Sequence, residues 1–200
     1  MRPIDIRKYK QELRAKCRAV RENMDKTQKT ALDKSIAENV RRLKEYRPSN
    51  TLLVYISTPI EVDTIKIIEN AWADGKKVAV PRCIPETRDM EFHYIENLEC
   101  LSPGAFSVLE PNENLPIVTD FSGCLMIVPG MQFDMNGYRI GYGKGYYDRY
   151  MARFTGKSAG ICYSDELRPF MYHGRYDRPV NIIVTDKKIK TCNNMRKNYV

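Results

Sequence analysis

Histidine is almost missing from this 200-residue chain: only His93 and His173 occur, far apart and without metal-ligand spacing. That speaks against a zinc centre. No Ser/His/Asp or Cys/His set is assembled by the sequence, so covalent nucleophilic catalysis is not suggested. No C-x-x-C occurs among the six cysteines (Cys17, Cys83, Cys100, Cys124, Cys162, Cys192), which read as reduced thiols of a cytoplasmic protein rather than a disulfide framework. No apolar run approaches the roughly 18 residues that span a bilayer. The opening stretch MRPIDIRKYKQELRAK is charged throughout and lacks the apolar segment of a signal peptide, so no membrane partner is expected. Internal repeats and low-complexity linkers are absent as well.

What is present is an ordinary globular composition, 42% hydrophobic and 29% charged, at a length that suits one domain, 1–200. Lysine and arginine number 33 against 25 acids, a net charge of +8. That balance suits an anionic partner such as a nucleotide, another polyanion or a nucleic acid, and equally a surface kept soluble by lysines.

Ile6, Tyr9, Leu13, Cys17 and Val20 recur at helical steps over 4–23, with basic residues opposite. A second helix begins where Asp25 and Gln28 have capping-box spacing and runs through Leu32, Ile36, Val40 and Leu43 to Pro48, making a helical pair over 4–46. TLLVYIS (51–57) reads as a buried strand, 63–75 as a helix closed by Gly75, and KKVAVP (76–81) as the next strand. This is a βαβ unit, with a parallel pair and a right-handed crossover. MEFHYI (90–95) reads as a more exposed strand and 96–123 as a long loop with short elements. CLMIVPG (124–130), SAGICYS (158–164) and NIIVTD (181–186) complete the strands. Residues 145–155 read as a helix with Tyr147, Tyr150, Met151 and Phe154 on one face, and 187–200 as a partly frayed basic tail.

The stretch GYRIGYGKGYYDRY (137–150) lies between a strand and a helix. Its G-x-G-x-G core fits neither the dinucleotide fingerprint nor the Walker A loop. The physics of anion binding still applies. Glycines let backbone N–H groups approach a ligand, a helix N-terminus adds partial positive charge, and Arg139 and Lys144 add full charge. Asp148 could hold Mg²⁺ against phosphate oxygens. A plain tight turn with exposed cations is the competing reading.

VPGMQFDMNGYRIGYGKGYYDRYM (128–151) resembles the signature of the 5-formyltetrahydrofolate cyclo-ligase family: a V-P-G strand end, an F-D, a G-x-R-x-G-x-G-x-G-x-Y-D core and a following helix. The resemblance extends over nearly the whole chain. Lys10 and Arg14 stand four apart in a basic first helix, Glu61 follows the first core strand, and Asp177 precedes the strand ending in Thr-Asp.

The resemblance implies a three-layer, Rossmann-like α/β fold, a mainly parallel sheet with helices on both faces. It implies the reaction of ATP with 5-formyltetrahydrofolate to give ADP, phosphate and 5,10-methenyltetrahydrofolate, with Mg²⁺. The γ-phosphoryl group passes to the formyl oxygen, N10 attacks the activated carbon, and phosphate leaves as the ring closes; such transfers need positioning and charge neutralisation. The catalytic residues implied are Lys144, Arg139 and Tyr146. ATP falls to Lys10, Arg14 and the run Arg139, Ile140, Gly141, Tyr142, Gly143, Lys144, Gly145, Tyr146, Tyr147. The folate falls to Ile56, Glu61 and residues 142–146, the carboxylate facing the pterin and an aromatic ring stacking on it. Asp148 and Asp177 are the implied Mg²⁺ ligands, with Asp134 and Asp186 as competing carboxylates. Arg82 is a candidate contact for a phosphate or a glutamate tail. Tyr147 also suits core packing, and Ile56 likewise. Small-molecule substrates, a monomer and no nucleic-acid partner complete the expectation. An RNA-binding relative without catalysis, or an ATP-dependent enzyme acting on another polyanion, would share the basic face.

Overall fold

The computed structural model describes residues 4–104 and 108–192. Helix α1, Ile6–Glu22, is capped by Asp5, whose carboxylate accepts from the N–H groups of Arg7 and Lys8. Helix α2, Lys26–Arg41, starts at Asp25, which accepts from the Gln28 N–H at 2.9 Å. It stops earlier than its periodicity suggests, although Leu43 and Tyr46 in the following turns remain buried.

Strand β1 (Thr51–Leu53) leads through α3 (Ile65–Ala73) to β2 (Lys77–Ile84), the expected βαβ unit. The hairpin strand β3 is Asp89–Ile95, and β4 (Leu101–Pro103) and β5 (Leu109–Pro111) form a small ribbon. Then come β6 (Cys124–Val128), β7 (Gln132–Asp134), β8 (Arg139–Ile140), α4 (Tyr146–Arg153), β9 (Lys157–Ile161), β10 (Leu167–Arg168), β11 (Ile182–Val184) and β12 (Ile189–Thr191). The seven-stranded sheet has the order β12-β11-β9-β6-β1-β2-β3. Its five inner strands are parallel, and each edge strand is antiparallel to its neighbour.

Side chains alternate between two apolar cores. Leu52, Val78, Val80, Leu125 and Ile127 face α2 and α3; Leu53, Ala79, Met126 and Val128 face Tyr150 of α4 with Phe92 and Phe133. Both faces are therefore covered, as a parallel sheet requires. Counted in chain order, the parallel strands read 2-1-3-4-5, and the order reverses between β1 and β6. A crevice forms there, outside the strand C-termini, where such folds bind ligands.

Within the tail expected to be partly frayed, β12 pairs antiparallel with β11, and Cys192 is buried; residues 193–200 lie outside the described residues. Two expectations change. Strand β3 is less exposed than its alternation suggests, because Met90 and Phe92 face α4 and His93 is covered on the other face, where it bridges to Ile117. The first two helices neighbour each other in sequence but serve different layers. Helix α2 packs beside α3, whereas α1 lies on β8, where Cys17 meets Met131, Ile140 and Met171.

A second sheet, β10-β7-β8, carries the chain from β6 to the glycine stretch. Asp134, fully buried, holds its turn: it accepts from the N–H groups of Asn136, Tyr138 and Met171 at 3.0 to 3.1 Å. Gly137 closes the turn at φ 92°, and a Cβ there would lie 2.5 Å from the Val180 carbonyl oxygen. Among the described residues no helix is long and apolar enough to cross a membrane.

Candidate active site

A cleft of about 1160 Å³ opens at the point where the strand order reverses. Its walls are the chain after β1, the end of β2, helix α1, the glycine stretch into α4, and the segment around Asp177. Every residue assigned by resemblance to catalysis, ATP, folate or Mg²⁺ lines it, except Ile140. Ile140 is buried against Cys17, so its side chain belongs to the core beneath the loop rather than to a ligand.

Helix α1 presents a stripe at Lys10, Arg14, Cys17 and Arg21, steps of four, three and four that keep one helix face. Lys10 pairs with Asp177, whose Oδ2 also accepts from the Gly174 N–H at 2.6 Å. The Nε of Arg14 donates to the Gly141 carbonyl at 2.7 Å. Burial lowers the Arg14 pKa, opposed by Asp177. Arg21, one of the basic residues of the first helix, is only 5% exposed. It grips Glu166 through two 2.7 Å bonds, donates to the carbonyls of Gly130 and Met131, and reaches the Ile60 carbonyl at 3.2 Å. It therefore ties α1 to the loops after β1 and β6. Val20, assigned by periodicity to the apolar face, is 60% exposed instead.

The glycines differ in what they do. Gly143 and Gly145 take φ of 92° and 77°, a region other residues enter at a cost. A Cβ on Gly143 would sit 3.1 Å from the Arg14 guanidinium, so this glycine also permits the contact between loop and helix. Lys144 between them is exposed at the cleft. Tyr146 and Tyr147 open α4, and the Arg149 guanidinium lies 5.4 Å from the centroid of the Tyr146 ring. Arg139, expected to meet phosphate, is committed to its own chain: it donates to Asp148 at 2.9 Å and to the Arg178 carbonyl at 2.8 Å.

The opposite wall is acidic and apolar. Glu61 is 6% exposed and accepts from the N–H and hydroxyl of Thr58 at 2.8 and 2.9 Å. The Tyr142 phenol reaches across from the glycine stretch to Thr58 and Glu61, and burial pushes its pKa up to about 12. Ile56 lies beside Glu61 on this wall, buried yet lining the cleft. The Tyr147 ring packs against Phe92, but its hydroxyl is buried with no hydrogen-bond partner among the described residues. Glu110, from β5, is a second buried carboxylate here, 5% exposed, accepting from the Cys83 N–H at 3.1 Å.

Asp148 accepts from the N–H of Arg178, the neighbour of Asp177, so the fold brings these two carboxylates to one corner of the cleft. Among the described residues no three His, Cys, Asp or Glu side chains gather as a metal cage. A Mg²⁺ ion held by one or two carboxylates and by substrate phosphates needs no such cage, and this donor set fits it. The competing carboxylates are structural. Asp134 holds the turn described above, and Asp186 accepts from the N–H and hydroxyl of Ser164. Arg82 does not line the cleft; it binds the Pro111 carbonyl and Glu113.

Arg21, Thr58 and Glu110 are the site-building residues that sequence reasoning missed. Arg21 shares the spacing of Lys10 and Arg14, a signal that was available. Glu110 sits in an irregular stretch with no periodicity to betray its burial.

The sequence profile of the 5-formyltetrahydrofolate cyclo-ligase family matches residues 6–186. A probable 5-formyltetrahydrofolate cyclo-ligase of Schizosaccharomyces pombe is 30% identical over 171 residues, covering 78% of this chain and 84% of that protein. The 5-formyltetrahydrofolate cyclo-ligase of Saccharomyces cerevisiae is 30% identical over 200 residues, covering 88% and 94%. The solved structure of Aquifex aeolicus 5,10-methenyltetrahydrofolate synthetase superposes with a TM-score of 0.80 at 29% identity, covering 94% of each chain.

Proposed function

Since the chain belongs to the 5-formyltetrahydrofolate cyclo-ligase family, we propose that this enzyme converts ATP and 5-formyltetrahydrofolate into ADP, phosphate and 5,10-methenyltetrahydrofolate. The observation that carries this reading is the division of the cleft. Cations and a glycine stretch stand at one end, and buried carboxylates among apolar and aromatic side chains at the other. A triphosphate suits the first and a flat heterocycle rich in N–H donors suits the second.

The formyl group on N5 is an amide-like carbonyl and a poor electrophile. Phosphorylation of its oxygen turns that oxygen into a leaving group; N10 attacks the formyl carbon, and the C–O bond breaks to release phosphate. In this reading Lys144 meets the transferring phosphoryl group, and Lys10 and Arg14 hold the nucleotide against the glycine stretch. Preorganised charge of this kind stabilises the transition state without reorganisation. Arg139 acts through Asp148, which it fixes in place. Glu61 accepts from the pterin, with the ring of Tyr146 stacked on it, and Ile56 adds apolar contact. Asp148 and Asp177 would hold Mg²⁺, which neutralises phosphate charge when bound. The substrates are small molecules, and a monomer in the cytoplasm fits a chain with no membrane-crossing helix among its described residues.

The test is absorbance at the methenyl band with purified protein, 5-formyltetrahydrofolate, Mg²⁺ and ATP. The expected result is a signal that requires all three additions. Well-folded protein that gives no ATP-dependent signal would contradict the proposal.

A further inference from the structure

Glu110 is the least explained charged group in the molecule. It is 5% exposed, lines the cleft, and forms no ion pair with any described residue. Its hydrogen-bonding partner is Cys83, whose N–H donates to Oε1 at 3.1 Å. A buried carboxylate without a cation is costly unless donors surround it; the Cys83 N–H and thiol both serve this one, and its two oxygens can accept more. The Tyr147 hydroxyl is a second oddity on the same floor. It is buried without a hydrogen-bond partner among the described residues and lies near Glu61 and Cys83. Burial keeps this phenol neutral, so it can donate or accept. Among the described residues the phenol adds nothing to the fold through its hydroxyl, and the carboxylate keeps acceptor capacity beyond its Cys83 donors.

Lys10 and Arg14 come from α1, whereas both of these residues line the part of the cleft built by β5 and α4. A triphosphate is repelled there. Adenine offers a single amino group. A reduced pterin instead carries N–H donors along two edges of its ring: the amino group with N3–H, and N8–H. One carboxylate can serve one edge only. We propose that Glu110 is a second pterin-recognising carboxylate, opposite Glu61, and that the Tyr147 hydroxyl completes the polar floor between them. This inference rests on the folate reading given above. It makes Glu110 a specificity-determining residue: a folate-like ligand supplies the donors that the protein leaves out.

Glu110→Gln tests it cleanly, because the amide oxygen can still accept from the Cys83 N–H and only the charge is lost. Equilibrium binding of 5-formyltetrahydrofolate and of ATP is measured separately by titration calorimetry, with thermal unfolding alongside. A hydrogen bond to a charged group is worth enough that the folate Kd should rise about 10- to 100-fold. The ATP Kd should stay within about twofold and the melting temperature should hold or rise. Tyr147→Phe should weaken folate several-fold with the same selectivity. Unchanged folate affinity in Glu110→Gln would overturn the inference, and so would equal weakening of both ligands, the mark of a purely structural tether. Wild-type protein that binds no 5-formyltetrahydrofolate would instead defeat the folate reading itself, and this inference with it.

Discussion

At the α1 end of the cleft, cations already face partners from the chain: Lys10 meets Asp177, Arg139 meets Asp148, and Arg14 donates to the Gly141 carbonyl. At the other end Glu61 and Glu110 are nearly as buried as the core, yet neither is matched by a cation among the described residues. The first arrangement places positive charge without leaving like charges unbalanced when no nucleotide is bound. An arriving triphosphate can share or replace the carboxylates. The second arrangement rests on neutral donors of the chain, Thr58 for Glu61 and Cys83 for Glu110, so a ligand that brings further N–H donors adds what the chain does not. Charge steers and positions at one end, and unmet hydrogen bonding discriminates at the other.

The largest effect should come from breaking the joint between the two ends. Arg21 donates to the loop carrying Glu61 while standing on the helix that carries Lys10 and Arg14. Arg21→Met leaves Glu166 buried and unpaired, and should cost about 3 to 5 kcal/mol in denaturant unfolding. A loss within the range of an ordinary surface substitution would show that the ends are held independently.

Lys144→Ala breaks the cationic end alone. It should lower kcat/KM about 100-fold or more, the scale of losing one preorganised group at a developing charge, with folate affinity and unfolding midpoint unchanged. Unaltered turnover would remove Lys144 from the reaction. Glu110→Gln is the matching change at the acidic end, and it should alter folate affinity without altering ATP affinity.

The smallest effect concerns the phenols between the ends. Burial raises the pKa of Tyr142 to about 12 and holds that of Tyr147 well above 10.0, the ordinary value. A raised folded-state pKa means that stability is intact below about pH 10 and falls as pH rises beyond it, because the unfolded chain ionises first. Denaturant unfolding should therefore lose up to about 1.4 kcal/mol per pH unit for each fully buried phenol, and less for Tyr142, which is 43% exposed. Folate affinity should stay flat to pH 10. Phenolate absorbance appearing near pH 10 in folded protein, from these two residues, would mean that the wall is wetter than described.

The βαβ unit was legible from local periodicity and the glycine stretch from its composition, whereas Glu61, Asp148 and Asp177 were singled out by family resemblance and only the fold brings them to one cleft. The failures have physical causes. Arg21 and Val20 exchange the roles that hydropathy gives them, since a guanidinium with enough carbonyl and carboxylate partners can be buried where valine is left outside. Ile140 stands within the signature yet points away from it, because alternate residues of a strand face opposite sides. Glu110 owes its burial to a contact with Cys83, far from it in sequence, and β12 is a short hairpin partner of β11 in a polar basic stretch; no apolar pattern announces either.

The most direct measurement compares ADP with methenyl product in the same reaction, with and without 5-formyltetrahydrofolate. A cleft whose two ends act together predicts equal amounts of ADP and 5,10-methenyltetrahydrofolate, and negligible ADP when the folate is omitted. ATP turnover at a similar rate without the folate, or ring closure without ATP, would contradict it.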